Sequence, residues 1–243
     1  MLNGLRRSAR LPEIRRDLHK LDAIDDCVII GCAGPAGLGQ RYKGRLSEVL
    51  KWTKNGHRIM DLPIHRVMGC LHEAFLDQTQ EQLKSLAAAK NVIEAREGLA
   101  GTLLAIPLTN GLTLLTFSDI CTPEHATPEL PFTAVGSGQA IADPFLAFLK
   151  RVLWKDEQPS LSVGVFSVIW TLKHAIETNP GGIGAPLHVG TLTLEDGAPK
   201  IRWLLQDQID DHFKQIDDVE RQMGEAARGV GTTASTPPPM PAS

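Results

Sequence analysis

Residues 131–140 contain the part of this sequence whose residue types and spacing are best suited to chemistry. A short apolar run, 131–135, leads into Gly136-Ser137-Gly138, and a helical pattern follows directly. Two glycines around a serine, where a strand changes to a helix, place a hydroxyl and several backbone N–H groups at a helix start. Such a helix start can hold an anion or an oxyanion. The same residues are also ordinary turn chemistry, and in isolation the turn interpretation is favoured.

A second glycine-rich loop follows the run 27–30, which is apolar and β-branched as in a buried strand. Its glycines stand at positions 31, 34, 37 and 39. This spacing matches neither the G-x-G-x-x-G fingerprint nor the P-loop, and no Gly-Lys-Ser/Thr follows. The loop therefore indicates a close passage of the backbone into a helix rather than a nucleotide site.

Composition and charge exclude several classes of protein. The chain has 243 residues, of which 42% are hydrophobic and 22% charged, and its formal net charge is −3. These values are typical of a soluble globular protein, and the net charge gives no general electrostatic reason to bind nucleic acid or a membrane. No segment reaches the roughly 18 consecutive apolar residues that a membrane helix needs.

The cysteines and histidines predict no bound metal and no cofactor. The cysteines are Cys27, Cys32, Cys70 and Cys121. They show neither C-x-x-C pairing nor zinc-ligand spacing, and scattered thiols of this kind are typical of a reduced, cytoplasmic protein. His65 and His72 lie on one predicted helix without carboxylates at ligand spacing, so we interpret them as surface or packing residues.

Apolar periodicity divides the chain into helices and strands. The predicted helices cover 40–52, 64–75, 141–152, 165–176 and 207–224, and residues 78–98 are predicted to form either a separate solvated helix or a helical extension. The predicted strands cover 27–30, 102–108, 112–117, 131–135, 187–194 and 201–205. In the helix 141–152, Ile141, Phe145, Phe148 and Val152 are expected to face the core. A linker is predicted over 122–130.

This order of elements predicts the fold class. The chain reads strand, two helices, three strands, two helices, two strands and helix, so helices come in pairs and strands in hairpins. A doubly wound parallel sheet is therefore excluded, and we predict an α+β fold, a four-layer αββα sandwich with two antiparallel sheets between helical layers. We expect a single domain over 1–226 and a disordered tail over 227–243, which is rich in Gly, Thr and Pro.

Three local patterns, taken in this order, resemble the proteasome family of N-terminal-nucleophile hydrolases over roughly residues 14–205. The first runs from Lys20 through a strand to the Ala33-Gly34 turn. The second is Ala134-Val-Gly-Ser-Gly138 followed by a helix, and the third is a helix that leads into Gly181-Gly182 and then a strand. The family has the four-layer αββα fold, so the resemblance implies the same architecture that the element order predicts.

The resemblance also implies roles for particular residues. The family uses a threonine at the mature N-terminus, whose own α-amino group is the base, so one residue supplies both nucleophile and proton acceptor. Lys20 matches the lysine that supports this amine, and Ser137 matches a serine placed near it. Glu177 falls where the family usually has an aspartate, and Gly34 is assigned to the backbone turn that holds the oxyanion. Pro180, in contrast, replaces a family serine and supplies no hydroxyl.

The sequence departs from the family pattern most clearly at its start. Only nineteen residues precede Lys20, and neither Asn3 nor Gly4 supplies the acidic residue expected ahead of it. As written, no threonine heads the chain and the nucleophile strand pair is missing, so we expect the sheet that should carry it to have a gap. Gly101-Thr102 is rejected as a processed start, because cleavage there would remove Lys20 and break the element order.

The function implied by the resemblance is a subunit of a self-compartmentalised threonine-type endopeptidase. Its partners would be further copies in a ring-type homo-oligomer, polypeptide substrates and an ATP-dependent unfoldase, in the cytoplasm. As written, the subunit would be inactive unless the natural chain starts upstream with a threonine. Two alternatives stay open: a non-catalytic structural or interaction subunit of the same fold, and an unrelated αβ protein whose Gly-Ser-Gly turn binds a small anion.

Overall fold

The computed structural model describes residues 20–51, 53–54, 57–88, 98–155, 157–179, 184 and 186–233. The strands are β1 (Leu21–Ile24), β2 (Val28–Ala33), β3 (Thr53–Lys54), β4 (His57–Arg58), β5 (Gly101–Leu108), β6 (Gly111–Phe117), β7 (Pro123–His125), β8 (Gly190–Glu195) and β9 (Ala198–Trp203). The helices are α1 (Ala36–Lys51), α2 (Ile64–Ala88), α3 (Gln139–Leu149), α4 (Leu161–Thr178) and α5 (Gln206–Thr233). None of the helices in the described residues could span a membrane.

The larger sheet is antiparallel throughout and has the strand order β1-β2-β5-β6-β7. Its first hairpin turns at Asp25 and Asp26, with φ angles of 49° and 52°. The Cys27 amide donates to the Ile24 carbonyl at 3.2 Å across this turn. Two consecutive residues with positive φ are typical of the tight hairpin turns whose twist matches that of the paired strands. The turn fixes the register in which Leu21 lies opposite Gly31.

One face of this sheet forms the main core with α1 and α2. Alternate strand residues point to the same side of a sheet, and on this side they are fully buried. The buried residues are Val28, Ile30, Leu104, Ile106, Leu115 and Phe117 from the sheet, and Leu38, Tyr42, Leu46, Val67, Leu71 and Phe75 from the helices. Burial of each large apolar side chain stabilises the fold by about 1.5–3 kcal/mol.

A second core lies among α3, α4, α5 and the segments that flank the β8–β9 hairpin. Its buried members are Leu149, Ile169, Trp170, Val189, Ile209 and Ile216. The helical elements are therefore divided into two groups, α1–α2 against the larger sheet and α3–α5 around the second core. This division positions the start of α3 next to the end of the larger sheet.

Apart from the two-residue pairing of β3 with β4, the β8–β9 hairpin is the second antiparallel sheet, and its side chains alternate between an apolar and a polar face. Gly190 and Trp203 are opposite each other on the apolar face. A Cβ on Gly190 would lie 3.2 Å from Cδ1 of Ile29, so this face is stacked on the larger sheet. On the polar face, Glu195 pairs with Lys200 and Arg202 at 2.6 Å each. The two antiparallel sheets and the helices confirm the predicted α+β sandwich.

The strand predicted at 131–135 is wrong, because these residues are irregular. Their apolar side chains pack against other segments instead of lining a strand. The Phe132 ring lies edge-on to Trp154, with 6.0 Å between the ring centroids. The strand that follows β5 and β6 is instead β7, which lies inside the predicted linker 122–130. It pairs with β6 after a tight turn in which the Cys121 amide donates to the Ser118 carbonyl at 2.9 Å.

Two further helix predictions change in detail. The segments 64–75 and 78–98 form one continuous helix, α2, as far as Ala88. Residues 227–233 of the predicted tail belong to α5 instead; 234–243 lie outside the described residues. The predictions for residues 1–19 and for Pro180, Gly181 and Gly182 also lie outside them, and the single domain over 1–226 stays a prediction.

Candidate functional site

The candidate site lies at the end of β2, where three of the predicted site residues converge. Lys20 is exposed and directly precedes β1. Its carbonyl accepts a hydrogen bond of 3.1 Å from the Cys32 amide, one residue before the end of β2. The hairpin register therefore fixes the backbone of Lys20 beside the loop that leads from β2 into α1.

Gly34 follows β2 directly and is held in a conformation that favours glycine. Its φ angle is +132°, and a Cβ there would lie 2.8 Å from the Cα of Ala100. Both Leu99 and Ala100 are buried, so the neighbouring backbone has little room to move. The predicted close backbone passage is confirmed, and the passage occurs against the segment that begins β5.

The Gly136-Ser137-Gly138 turn is seated on this same end of the sheet. Gly136 has a φ of +92°, and a Cβ there would lie 2.6 Å from the Cβ of Ala33. Ala33 pairs with Gly101 across the sheet. Val135 approaches Gly101 in turn, since a Cβ on that glycine would lie 3.6 Å from the Cβ of Val135. Small residues on β2 and β5 thus make the space in which the turn sits.

The turn ends in the start of α3, which gives Ser137 its chemical setting. Ser137 is exposed, and the amides of Ile141 and Ala142 donate to the Gly138 carbonyl at 3.0 and 2.9 Å. A helix start carries partial positive charge from its amide groups. The backbones of Lys20, Gly34 and the turn that holds Ser137 therefore all lie beside the last residues of β2.

Glu177 makes its contacts elsewhere, on α4 and α5. Its carboxylate pairs with Lys173 at 3.3 Å, and its side chain is 59% exposed. Lys173 also pairs with Asp217 at 3.1 Å and with Glu220 at 3.0 Å. Trp170 donates from Nε1 to the other oxygen of Glu220 at 2.7 Å. The described contacts of Glu177 thus belong to an ion cluster that joins the two helices.

This cluster shifts the proton equilibrium of its central lysine. Partial burial acts to lower the pKa of Lys173, but hydrogen bonds to Glu220, Asp217 and Glu177 outweigh it and hold that pKa above its ordinary value. A charged lysine that is shared by three carboxylates joins the two helices rather than transferring protons.

Two further groups near the end of β2, the Cys32 thiol and the Thr102 hydroxyl, are not exposed nucleophiles. Thr102 is fully buried, and its Oγ1 lies 4.0 Å from Sγ of Cys32. Burial raises the pKa of the Cys32 thiol, which keeps it protonated and weakly nucleophilic. Within the described ranges, no group of three His, Cys, Asp or Glu side chains is arranged to hold a metal ion.

The residues that sequence reasoning missed are Ala33, Gly101 and Val135. None of them carries a reactive group, and their importance comes from contacts between segments that are far apart in the chain. For Ala33 and Gly101 the available signal was their small size beside two predicted strands, which marks a place where another backbone approaches closely.

Comparisons with known proteins define the fold. No protein-family model matches the chain, and no curated protein matches it. Among solved structures, the helical assembly of the Anbu complex from Pseudomonas aeruginosa is similar, with a TM-score of 0.58 and 14% identity over 90% of this chain and 86% of that one. The fold is proteasome-like. Anbu (ancestral beta-subunit) from Yersinia bercovieri is similar over the same shares of both chains, with a TM-score of 0.56 and 12% identity.

These structures correct the family suggested by the sequence patterns. The expected membership of the proteasome threonine-peptidase family is wrong, because the similar structures are Anbu complexes, a distinct family with a proteasome-like fold. At 12–14% identity, the likeness extends to the fold alone. The motifs around Lys20 and Ser137 indicated the architecture correctly, but short motifs that a fold requires do not distinguish the families that share it.

Proposed function

We propose that this chain is a subunit of a self-assembling, proteasome-related complex that acts on polypeptides. The observation that carries the proposal is the proteasome-like fold, shared over 90% of the chain with an Anbu subunit whose complex is a helical assembly.

Electron microscopy of the purified full chain tests this function. The proposal predicts regular particles that contain many copies, and the images separate a helical filament from the closed ring that the sequence patterns imply. A heterologous contact closes into a ring or continues as a helix according to its rotation. Fields that contain only single subunits would contradict the proposal.

A second candidate function, threonine-type peptide hydrolysis, is favoured by the convergence at the end of β2. In this proposal, Lys20 stabilises the charges that develop near the nucleophile, Ser137 positions a proton, and the Gly34 backbone contributes to an oxyanion site. The described residues supply the surroundings of the nucleophile, while the reaction itself requires an N-terminal threonine. Glu177 would act only indirectly, through the position of α4.

Hydrolysis of fluorogenic peptides by an assembly of the chain extended upstream to an N-terminal threonine tests this second candidate. Lys20→Ala should abolish turnover and leave assembly intact, whereas Lys84→Ala, an exposed lysine near the end of α2, should keep full activity. Full activity of Lys20→Ala would contradict the role of Lys20. An assembly that forms but cleaves no peptide would identify the chain as a structural subunit.

A further inference from the structure

The exposed side of α2 carries a surface depression that the proposed site does not use. Its volume is about 430 Å³, and it is lined by His65, Arg66, Gly69, Cys70 and Glu73. We call this feature the α2 groove. These residues lie three and four positions apart, so they share one side of the helix. The opposite side of α2, with Val67 and Leu71, is buried in the main core.

Gly69 lines the α2 groove, and no packing contact among the described residues requires glycine there. It lies inside a helix of 25 residues, where glycine is less favourable than alanine. Apart from the backbone of its own helix, a Cβ on Gly69 would meet no atom of the described residues within 4 Å. The missing side chain therefore leaves open space on the outside of the helix, where a second backbone can approach closely.

The charges at the two ends of the α2 groove are self-complementary. Arg66 precedes Gly69 by three residues, and Glu73 follows Cys70 by three, so the two charges are symmetric about the midpoint of the groove. Both side chains are exposed, and neither forms an ion pair with any residue that the structure describes. They are seven positions apart, which is about 10 Å along a helix.

We propose that the α2 groove is a twofold self-association surface whose occupant is α2 of a second copy of this chain. In an antiparallel pair of α2 helices, Arg66 faces the partner's Glu73 and Glu73 faces the partner's Arg66. Gly69 lies against the partner's Cys70, which permits close approach of the two helices. A self-complementary patch of this kind is what a twofold contact requires. The inference rests on the proposed self-assembly and assigns one of its contacts.

Charge reversal tests the pairing. Arg66→Glu alone, or Glu73→Arg alone, places like charges opposite each other and should raise the dissociation constant of the α2 contact at least about tenfold. The double variant Arg66→Glu/Glu73→Arg restores opposite charges and should restore assembly. Lys84→Glu, at an exposed position of the same helix outside the groove, is the matched control and should assemble like the natural chain.

Cross-linking tests the position of the twofold axis. Each Cys70 lies next to the axis, so a short bismaleimide should join two copies of the assembled protein through this residue, and Cys70→Ser should remove the linked species. Cys121 is buried and serves as an internal reference for a thiol that does not react.

The possible outcomes distinguish a failure of the proposed α2 contact from a failure of the proposed function. Weakened single variants, a restored double variant and a Cys70 cross-link support the α2 contact. If the protein assembles but the single variants match the natural chain, or Cys70 does not cross-link, the surface is wrong and the proposed function stands. If the natural chain is monomeric at every concentration tested, both are wrong.

Discussion

The Cβ position of Gly136 lies 2.6 Å from the Cβ of Ala33, so the turn before α3 is seated directly on the last residue of β2. This contact joins two of the three sequence patterns that indicated the fold. It also fixes Ser137 relative to the loop of Gly34. A side chain at position 136 would have to displace one of the two segments.

Replacement of Gly136 by alanine should therefore destabilise the fold. We expect Gly136→Ala to lower the free energy of unfolding by about 2–3 kcal/mol, because strain from the positive φ adds to the clash with Ala33. Gly111→Ala is the matched control, since Gly111 has a φ of +117° but open space around its Cβ position. It should cost only about 1 kcal/mol. If urea titrations show the same loss in the free energy of unfolding for both variants, the contact with Ala33 is unimportant.

Thr79 joins two helices to the turn before β7 through a buried polar cluster. Its hydroxyl lies 2.6 Å from the Tyr42 hydroxyl and 2.9 Å from Sγ of Cys121, and it donates to the Phe75 carbonyl at 3.0 Å. Thr79→Val keeps the shape but leaves the Tyr42 hydroxyl with Cys121 alone. We expect a loss of about 1–3 kcal/mol in the free energy of unfolding.

The double variant Thr79→Val/Tyr42→Phe provides the test of that explanation. It removes both hydroxyls, so it should be no less stable than Thr79→Val. A further loss in the double variant would mean that Tyr42 contributes independently of Thr79, contrary to a shared cluster.

The ion cluster around Lys173 should make stability depend on pH in the alkaline range. The pKa of Lys173 is raised in the folded protein above the ordinary value of 10.5. Its stabilising effect is therefore complete below about pH 10 and is lost as the pH rises through the folded pKa. Lys173→Met should unfold more easily at pH 7, by about 1 kcal/mol for this partly exposed cluster. The difference from the natural chain should shrink above pH 10.5.

Chemical denaturation at several pH values measures this difference. Lys214→Met is the control, because Lys214 forms one exposed ion pair with Asp211. It should change stability little at any pH. A Lys173→Met deficit that stays constant as the pH rises past 10.5 would contradict the charge-based account.

Gly69→Ala should stabilise the individual subunit, because the new Cβ meets open space. The expected gain is about 0.5–1 kcal/mol from helix propensity, measured as a rise in the free energy of unfolding in the Arg66→Glu background, where the α2 contact is weakened. A loss of stability would mean that the chain itself requires glycine here, which would remove one reason to expect a partner at the α2 groove.

Local patterns predicted most of the architecture. The spacing of Val67, Leu71 and Phe75 placed one side of α2 in the core, where all three are fully buried. The strands predicted over 102–108 and 112–117 are β5 and β6, which pair in antiparallel register. Such features depend on residues that are near one another in the sequence, so periodicity and turn chemistry reveal them.

Features that depend on distant contacts were not predictable in this way. Val152 was expected to face the core but is 44% exposed, because the π-helical turn Lys150–Trp154 changes the helical frame after α3. The i,i+4 spacing of Lys173 and Glu177 predicts their ion pair. The ion pair of Lys173 with Glu220 was not predictable in this way, because Glu220 lies on another helix. The seat of Gly136 on Ala33 likewise requires the folded chain.

The native mass of the full chain is the most direct test of the central claim, that this proteasome-like fold belongs to a self-assembling subunit. Light scattering coupled to size exclusion, followed over a range of protein concentrations, measures it. The account predicts a dominant species that contains many times the 26.4 kDa of one chain. A single 26.4 kDa species at every concentration would contradict it.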